Sequence, residues 1–138
     1  MTLLDVSHMK PGDHAGLVAL QNGYGTVGVK AADNGDRYIA MCVNSGGSEE
    51  TVEHVRLEGC RIYLKIVFNF ENSIDLASFY YAQDGINWIQ IGRPLEMKYT
   101  LDHFMGYRIG LYNYATRVIG GYVDFDCFRY ARINERPQ

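Results

Sequence analysis

Arg61-Ile62-Tyr63-Leu64-Lys65-Ile66-Val67-Phe68-Asn69-Phe70 is the stretch on which the fold turns. In an extended chain successive side chains point to opposite faces. Ile62, Leu64, Ile66, Phe68 and Phe70 then share one face, and Tyr63, Lys65, Val67 and Asn69 share the other. A purely apolar row of that length is stable in water only when a second sheet covers it. The stretch predicts one strand of a two-layered β structure.

The same period-two alternation recurs on both sides, in short runs divided by Gly, Asn and Asp. Upstream lie His14 to Leu20, closed by Gln21-Asn22-Gly23, and Tyr24 to Ala31. The latter ends at Asp33-Asn34-Gly35-Asp36, which reads as a hairpin turn leading into Arg37 to Val43. Thr51 to Leu57 is polar enough to face water on one side. Downstream, Leu76 to Gln83 and Asn87 to Ile91 flank the turn signal Asp84-Gly85. Gly106 to Tyr114 and Gly121 to Ala131 complete the set, and 132–138 forms a polar tail expected to fray. About nine strands at spacings near ten residues, with no amphipathic helix, indicate an all-β antiparallel sandwich or barrel. The jelly-roll sandwich is the form expected, as one domain over 1–131.

Composition narrows the function classes. The 138 residues carry 11 Tyr, 6 Phe and 15 Gly, a turn-rich aromatic balance that suits strands. A net charge of -3, with Lys and Arg scattered singly, provides no cationic footprint for nucleic acid or anionic lipid. No run approaches the roughly 18 apolar residues of a membrane helix. Met1-Thr2-Leu3-Leu4-Asp5 lacks the pattern of a secretory leader, so a cytoplasmic location is expected. Cys42, Cys60 and Cys127 have no zinc-binding spacing and read as buried small hydrophobes. His8, His14, His54 and His103 are likewise too scattered for a transition-metal site.

The stretch from Ala77 to Tyr130 resembles a known domain. It reads A-S-F-Y-Y-A-Q-D-G-I-N-W-I-Q-I-G, then H-F-M-G-Y-R-I-G-L-Y-N-Y-A-T, then G-G-Y-V-D-F-D-C-F-R-Y. This ordered series is similar to the C-terminal concanavalin A-like sandwich of family 43 glycoside hydrolases of the β-xylosidase and arabinofuranosidase type. Met9-Lys10-Pro11-Gly12-Asp13-His14-Ala15-Gly16-Leu17 is similar to that family's M-x-x-G-D-x-A-G-L segment, and Tyr63-Leu64-Lys65 to its central strand. The resemblance implies an accessory module that packs on a catalytic β-propeller and shapes its sugar pocket. It also implies that the propeller, the acid and base carboxylates on it, and several leading strands all precede the segment present here.

Four sets of residues carry the candidate chemistry. Phe104, in Asp102-His103-Phe104-Met105-Gly106, is matched by the resemblance to an aromatic at the rim of the propeller's pocket. A ring there would exclude water and contact the apolar face of a sugar; alternatively it plugs the end of the sandwich core. Tyr112 and Tyr114 share one face of a strand and could stack on sugar rings, or could be half-buried with wet hydroxyls. Asp124 and Asp126 are two apart in a strand, with Val123, Phe125 and Cys127 turned to the core. Neighbouring carboxylates repel without a positive partner, either a structural calcium or Arg108 or Arg129, unless one of them caps a turn. Trp88 is expected to anchor the hairpin that follows Asp84-Gly85.

Glycoside hydrolysis requires a carboxyl kept protonated by its surroundings. The acidic residues lie in turns (Asp33, Asp36, Asp84) or in the polar strand (Glu49, Glu50, Glu53), where solvent keeps them ionised. Taken with this, the resemblance implies a non-catalytic module of a xylan- or arabinan-degrading glycosidase. A free-standing lectin-like domain that binds xylo- or arabino-oligosaccharides through its tyrosines is the alternative. Absent leading strands would leave an edge uncovered, from which a homodimer is expected.

Overall fold

The computed structural model describes residues 1–20, 23–44, 46–69, 75–97 and 108–131. Phe70, His103, Phe104 and the 132–138 tail lie outside the described residues.

Eleven strands form among the described residues: β1 (Thr2–Asp5), β2 (Asp13–Leu20), β3 (Tyr24–Ala31), β4 (Arg37–Asn44), β5 (Glu49–Arg56), β6 (Arg61–Asn69), β7 (Asp75–Ala82), β8 (Ile89–Gln90), β9 (Leu95–Met97), β10 (Arg108–Ala115) and β11 (Asp124–Phe128). One sheet runs β11-β1-β6-β7-β8, with β9 also on β7, and the other runs β10-β2-β3-β4-β5. Every pairing is antiparallel. The two sheets face each other as the sandwich that the β6 row predicts.

Ile62, Leu64 and Ile66 are buried and Phe68 packs at the margin, so the alternation of β6 does point its apolar row inward. Across the interior lie Ala15, Leu17 and Ala19 of β2, Val27 and Val29 of β3, and Ile39 and Met41 of β4, all essentially without solvent contact. Phe79 on β7, in register with Ile66, fills the space between.

The turns follow local chemistry. Asp36 donates its N–H to Asn34 Oδ1 (2.9 Å), and the hairpin closes through Ala32 N–H to the Asp36 carbonyl (2.7 Å). Asp84 Oδ1 accepts the N–H groups of Ile86 and Asn87, both at 2.8 Å, so this turn is held by a carboxylate and is wider than a two-residue hairpin. The strand expected over Asn87 to Ile91 accordingly shrinks to Ile89–Gln90. Trp88 reaches one strand further than a hairpin anchor: with Tyr80 it flanks the Lys65 ammonium, 4.2 and 5.0 Å from the two rings.

Three readings are corrected. Thr2–Asp5 is a strand inserted between β6 and β11, with Leu4 fully buried, where no strand is expected from the sequence. Of the three cysteines only Cys42 is buried, and Cys60 and Cys127 are intermediate. Cys127 leaves the core because the β1–β11 register shifts between Leu3 and Leu4. Leu4 pairs with Phe125 while Leu3 pairs with Cys127, so the bulge at Asp126 turns Cys127 to the outer face.

Gly16 and Gly28 are in register on β2 and β3. A Cβ on Gly28 would lie 2.2 Å from the Tyr112 hydroxyl oxygen and 2.3 Å from the Ala15 carbonyl oxygen. Gly110 has room, its nearest contact being Val18 Cγ1 at 3.6 Å. Gly28→Ala is therefore expected to cost about 1–3 kcal/mol in urea denaturation, the range of overpacking. Gly110→Ala should stay within about 0.5 kcal/mol of the parent, as an uncrowded substitution does.

Candidate functional site

Strand register brings the chemistry together on the outer face of the five-stranded sheet. The odd-numbered residues of β2 and β3 enter the core, so His14, Gly16 and Val18 face outward beside Tyr24, Thr26, Gly28 and Lys30. Tyr112 lies opposite Gly16 and Tyr114 opposite His14. With no side chains at Gly16 and Gly28, the Tyr112 phenol settles onto the backbone of the sheet. That burial pushes its pKa well above the usual tyrosine value, against a lowering hydrogen bond with Thr26. Tyr114 stands beside it, with centroids 6.0 Å apart and planes inclined at 35°.

A cavity of about 270 Å³ opens above this floor, walled by Tyr24, Tyr114, His14, Lys30 and Glu49. Glu49 accepts from the Tyr24 hydroxyl (2.9 Å) and from Lys30 Nζ (3.1 Å). Its side chain is 26% exposed and the residue remains in contact with solvent, as expected. Burial raises its pKa, but the hydrogen bonds from Tyr24 and Lys30 outweigh it and leave a net lowering, so the carboxylate is ionised. The effect of burial on Lys30 is likewise outweighed, chiefly by Cys42 and Glu49, and its pKa is raised. Asn44 Nδ2 donates to the Tyr24 hydroxyl (3.4 Å), and the Tyr114 hydroxyl bonds His14 Nδ1 (2.9 Å). Burial, then the Lys30 charge, lowers the His14 pKa, leaving a neutral imidazole at pH 7. A second cavity of about 210 Å³ lies beyond Tyr114, against Asp13, Asn113 and Gly121.

Tyr112 and Tyr114 do share a face, as read from their spacing, but they differ: Tyr112 is the floor and only Tyr114, at 45% exposure, presents a ring to solvent. Lys30, Glu49 and Tyr24 are site residues that the sequence alone leaves unmarked. Asp124 and Asp126 lie on the other sheet, apart from this cavity. Asp126 Oδ2 is bonded to Arg61 Nη2 at 2.7 Å, so its positive partner is an arginine other than the two expected. Asp124 is in register with Asp5, whose carboxylate is engaged by Ser7. Among the described residues no group of three His, Cys, Asp or Glu side chains could hold a metal ion. Phe104 lies outside the described residues.

The family model of the β-xylosidase C-terminal concanavalin A-like domain matches residues 1–131. The chain belongs to that family. A bifunctional GH43-CE protein from Bacteroides eggerthii is 49% identical and superposes with a TM-score of 0.85, over 91% of this chain and 16% of that one. A beta-xylosidase from Formosa agariphila is 27% identical over 130 residues, which are 91% of this chain and 20% of the relative. The structure of BlXynB, a GH43 protein from Bacillus licheniformis, shares the fold at 21% identity and a TM-score of 0.72, over 91% of this chain and 25% of its own. The domain thus spans about a fifth of the curated relative it matches.

The His14 shift has a definite sign. Its folded-state pKa lies below the ordinary value of 6.5, so below neutrality the unfolded chain takes up a proton that the folded domain resists. Stability is expected to fall as pH drops from 7 toward 5, before the carboxylates titrate. His14→Gln should flatten that part of the profile in urea titrations at each pH, and an unchanged slope would refute the assignment.

Proposed function

We propose that the chain is a non-catalytic accessory module that packs against the catalytic propeller of a longer family 43 glycosidase. One observation carries this reading. Leu111 is paired with the fully buried Leu17, and Phe128 with the fully buried Thr2, so both belong to interior-facing rows. Yet Leu111 is 42% and Phe128 45% exposed. They sit on β10 and β11, the end strands of the two sheets among the described residues. Ile119, Tyr122 and Tyr130 add exposed apolar surface along the same segment. Such a concentration marks a surface that another body covers. The remainder of a longer polypeptide suits that role, because the matched relatives devote most of their length to other parts.

The ionisation of the carboxylates supports a role without catalysis. Hydrogen bonding to Ser7 lowers the pKa of Asp5, and backbone N–H groups lower that of Asp84. Glu49 is lowered as well, the opposite of what a general acid needs. In this reading Phe104 contributes an aromatic ring at the mouth of the propeller's sugar pocket, and a cytoplasmic setting suits the three free thiols.

The chain alone is expected to hydrolyse neither nitrophenyl xyloside nor nitrophenyl arabinofuranoside above a buffer blank. Substituted for the equivalent segment of the Bacteroides eggerthii protein, it should support the host's activity. In that chimera Phe128→Asp should destabilise the assembly by about 2 kcal/mol, the worth of burying a large apolar side chain. Phe104→Ala should lower kcat/KM on the order of tenfold at an unchanged melting temperature. Equal melting temperatures for the Phe128→Asp and parent chimeras would remove the docking reading.

Without that cover the same seam suits a second copy, which is the homodimer expected from the sequence. Sedimentation of the isolated chain should show a dimer that Leu111→Asp converts to monomer. A monomer at all concentrations would dismiss it.

A further inference from the structure

We infer that the outer face of the β10-β2-β3 sheet is a second, independent site, which binds a neutral saccharide between Tyr24 and Tyr114 above the Tyr112 floor. The cavity lies on the opposite face of β10 from Leu111, so covering the seam leaves it open. At about 270 Å³ it is slightly below the roughly 300 Å³ at which small-molecule sites begin, the scale of one sugar ring.

The charges define the ligand class. Lys30 and Glu49 neutralise one another at 3.1 Å. Near neutral pH the site presents no net charge to a ligand, which disfavours an anion or cation as the main occupant. What remains is a dense set of hydrogen-bonding atoms held in place by one another. Tyr24 is fixed by Glu49 and Asn44, and Tyr114 by His14. Glu49 and Lys30 both also meet the Cys42 thiol, and a carboxylate with about four lone-pair sites and an ammonium with three hydrogens keep capacity beyond these contacts. A hydroxyl can donate and accept at once, so a polyhydroxylated ring satisfies such a mixed set where a purely apolar ligand would strand it.

The aromatic walls supply the other half of recognition. Tyr114 is substantially exposed and inclined toward Tyr112, so its ring offers an apolar surface to the C–H face of a sugar. The second cavity shares Tyr114 with the first and holds Asp13, whose Oδ1 is buried without a hydrogen-bond partner in the protein. An adjoining sugar unit has a place there.

The test is a calorimetric and NMR titration of the 138-residue chain with xylotriose, arabinotriose and cellotriose, with galacturonic acid as the charged control. Saturable binding of at least one neutral trisaccharide is expected, with shifts at Lys30, Glu49 and Tyr114. Tyr114→Ala and Glu49→Gln should each weaken it about tenfold or more, roughly 1.4 kcal/mol. Tyr24→Phe keeps the ring and the fold and should cost less than either. Absence of saturable binding by all three neutral sugars would overturn the inference, as would affinities unchanged by Tyr114→Ala and Glu49→Gln, or tighter binding of galacturonic acid. None of these outcomes bears on the docking seam, which is read from the chimera's melting temperature.

Discussion

Contact between the inner row of β6 and the inner rows of β2 and β3 is the constraint from which the rest of the domain follows. Ile62, Leu64 and Ile66 are buried against residues such as Leu17, Val27 and Val29, and no helix contributes to the core among the described residues. Because side chains alternate, committing one face of each strand to this interior commits the other face to the outside. The outward positions of β2, β3 and β10 are then free to vary chemically without loss of core packing. The candidate site is made from residues that lie outside the core between the sheets.

The Gly16–Gly28 pair adds a second constraint to that face. Two glycines in register weaken a sheet by entropy and by lost packing, roughly 0.5–1 kcal/mol each relative to alanine. The offset here is the Tyr112 ring, which covers the bare backbone and restores part of the missing contact. The resulting floor is lower than a floor of ordinary side chains would be. Tyr24 and Tyr114 consequently rise above it as walls, and a cavity forms on a sheet surface that would otherwise be level.

How far these features could be read from the sequence depends on the range over which they are encoded. The β6 row, the Asp33-Asn34-Gly35-Asp36 turn and the period-two runs are local, so their residues announce them. Thr2–Asp5 is only four residues long and becomes a strand because β6 and β11, remote in sequence, both pair with it. The Asp126 bulge is invisible for a similar reason. It arises from the register of β1 against β11, and it reverses the direction of Cys127 without any local mark. The candidate site divides in the same way. Tyr112 and Tyr114 were legible as a pair on one face, whereas the joining of Glu49 to Lys30 and Tyr24 requires two strand registers in succession. Asp124 and Asp126 carried a plausible local signal, but Arg61, from a strand two positions away in the sheet, takes the role left open for a cation.

Strand β10 shows how these constraints combine in one element. Its inner face carries Ile109 and Leu111 at the margin of the sandwich, and its outer face carries Tyr112 and Tyr114 over the glycine floor. A body docked at the margin would desolvate Leu111 and stiffen β10, because an end strand has a neighbour on one side only. The two tyrosines ride on the same backbone, so the stiffness would pass to the cavity wall through eight residues of continuous pairing with β2. The physical route between the two faces is thus the strand itself. Its consequence is a lower ordering cost for any ligand that meets Tyr114 in the docked domain, a preorganisation that the strand's alternation makes available without any contact between ligand and docking partner.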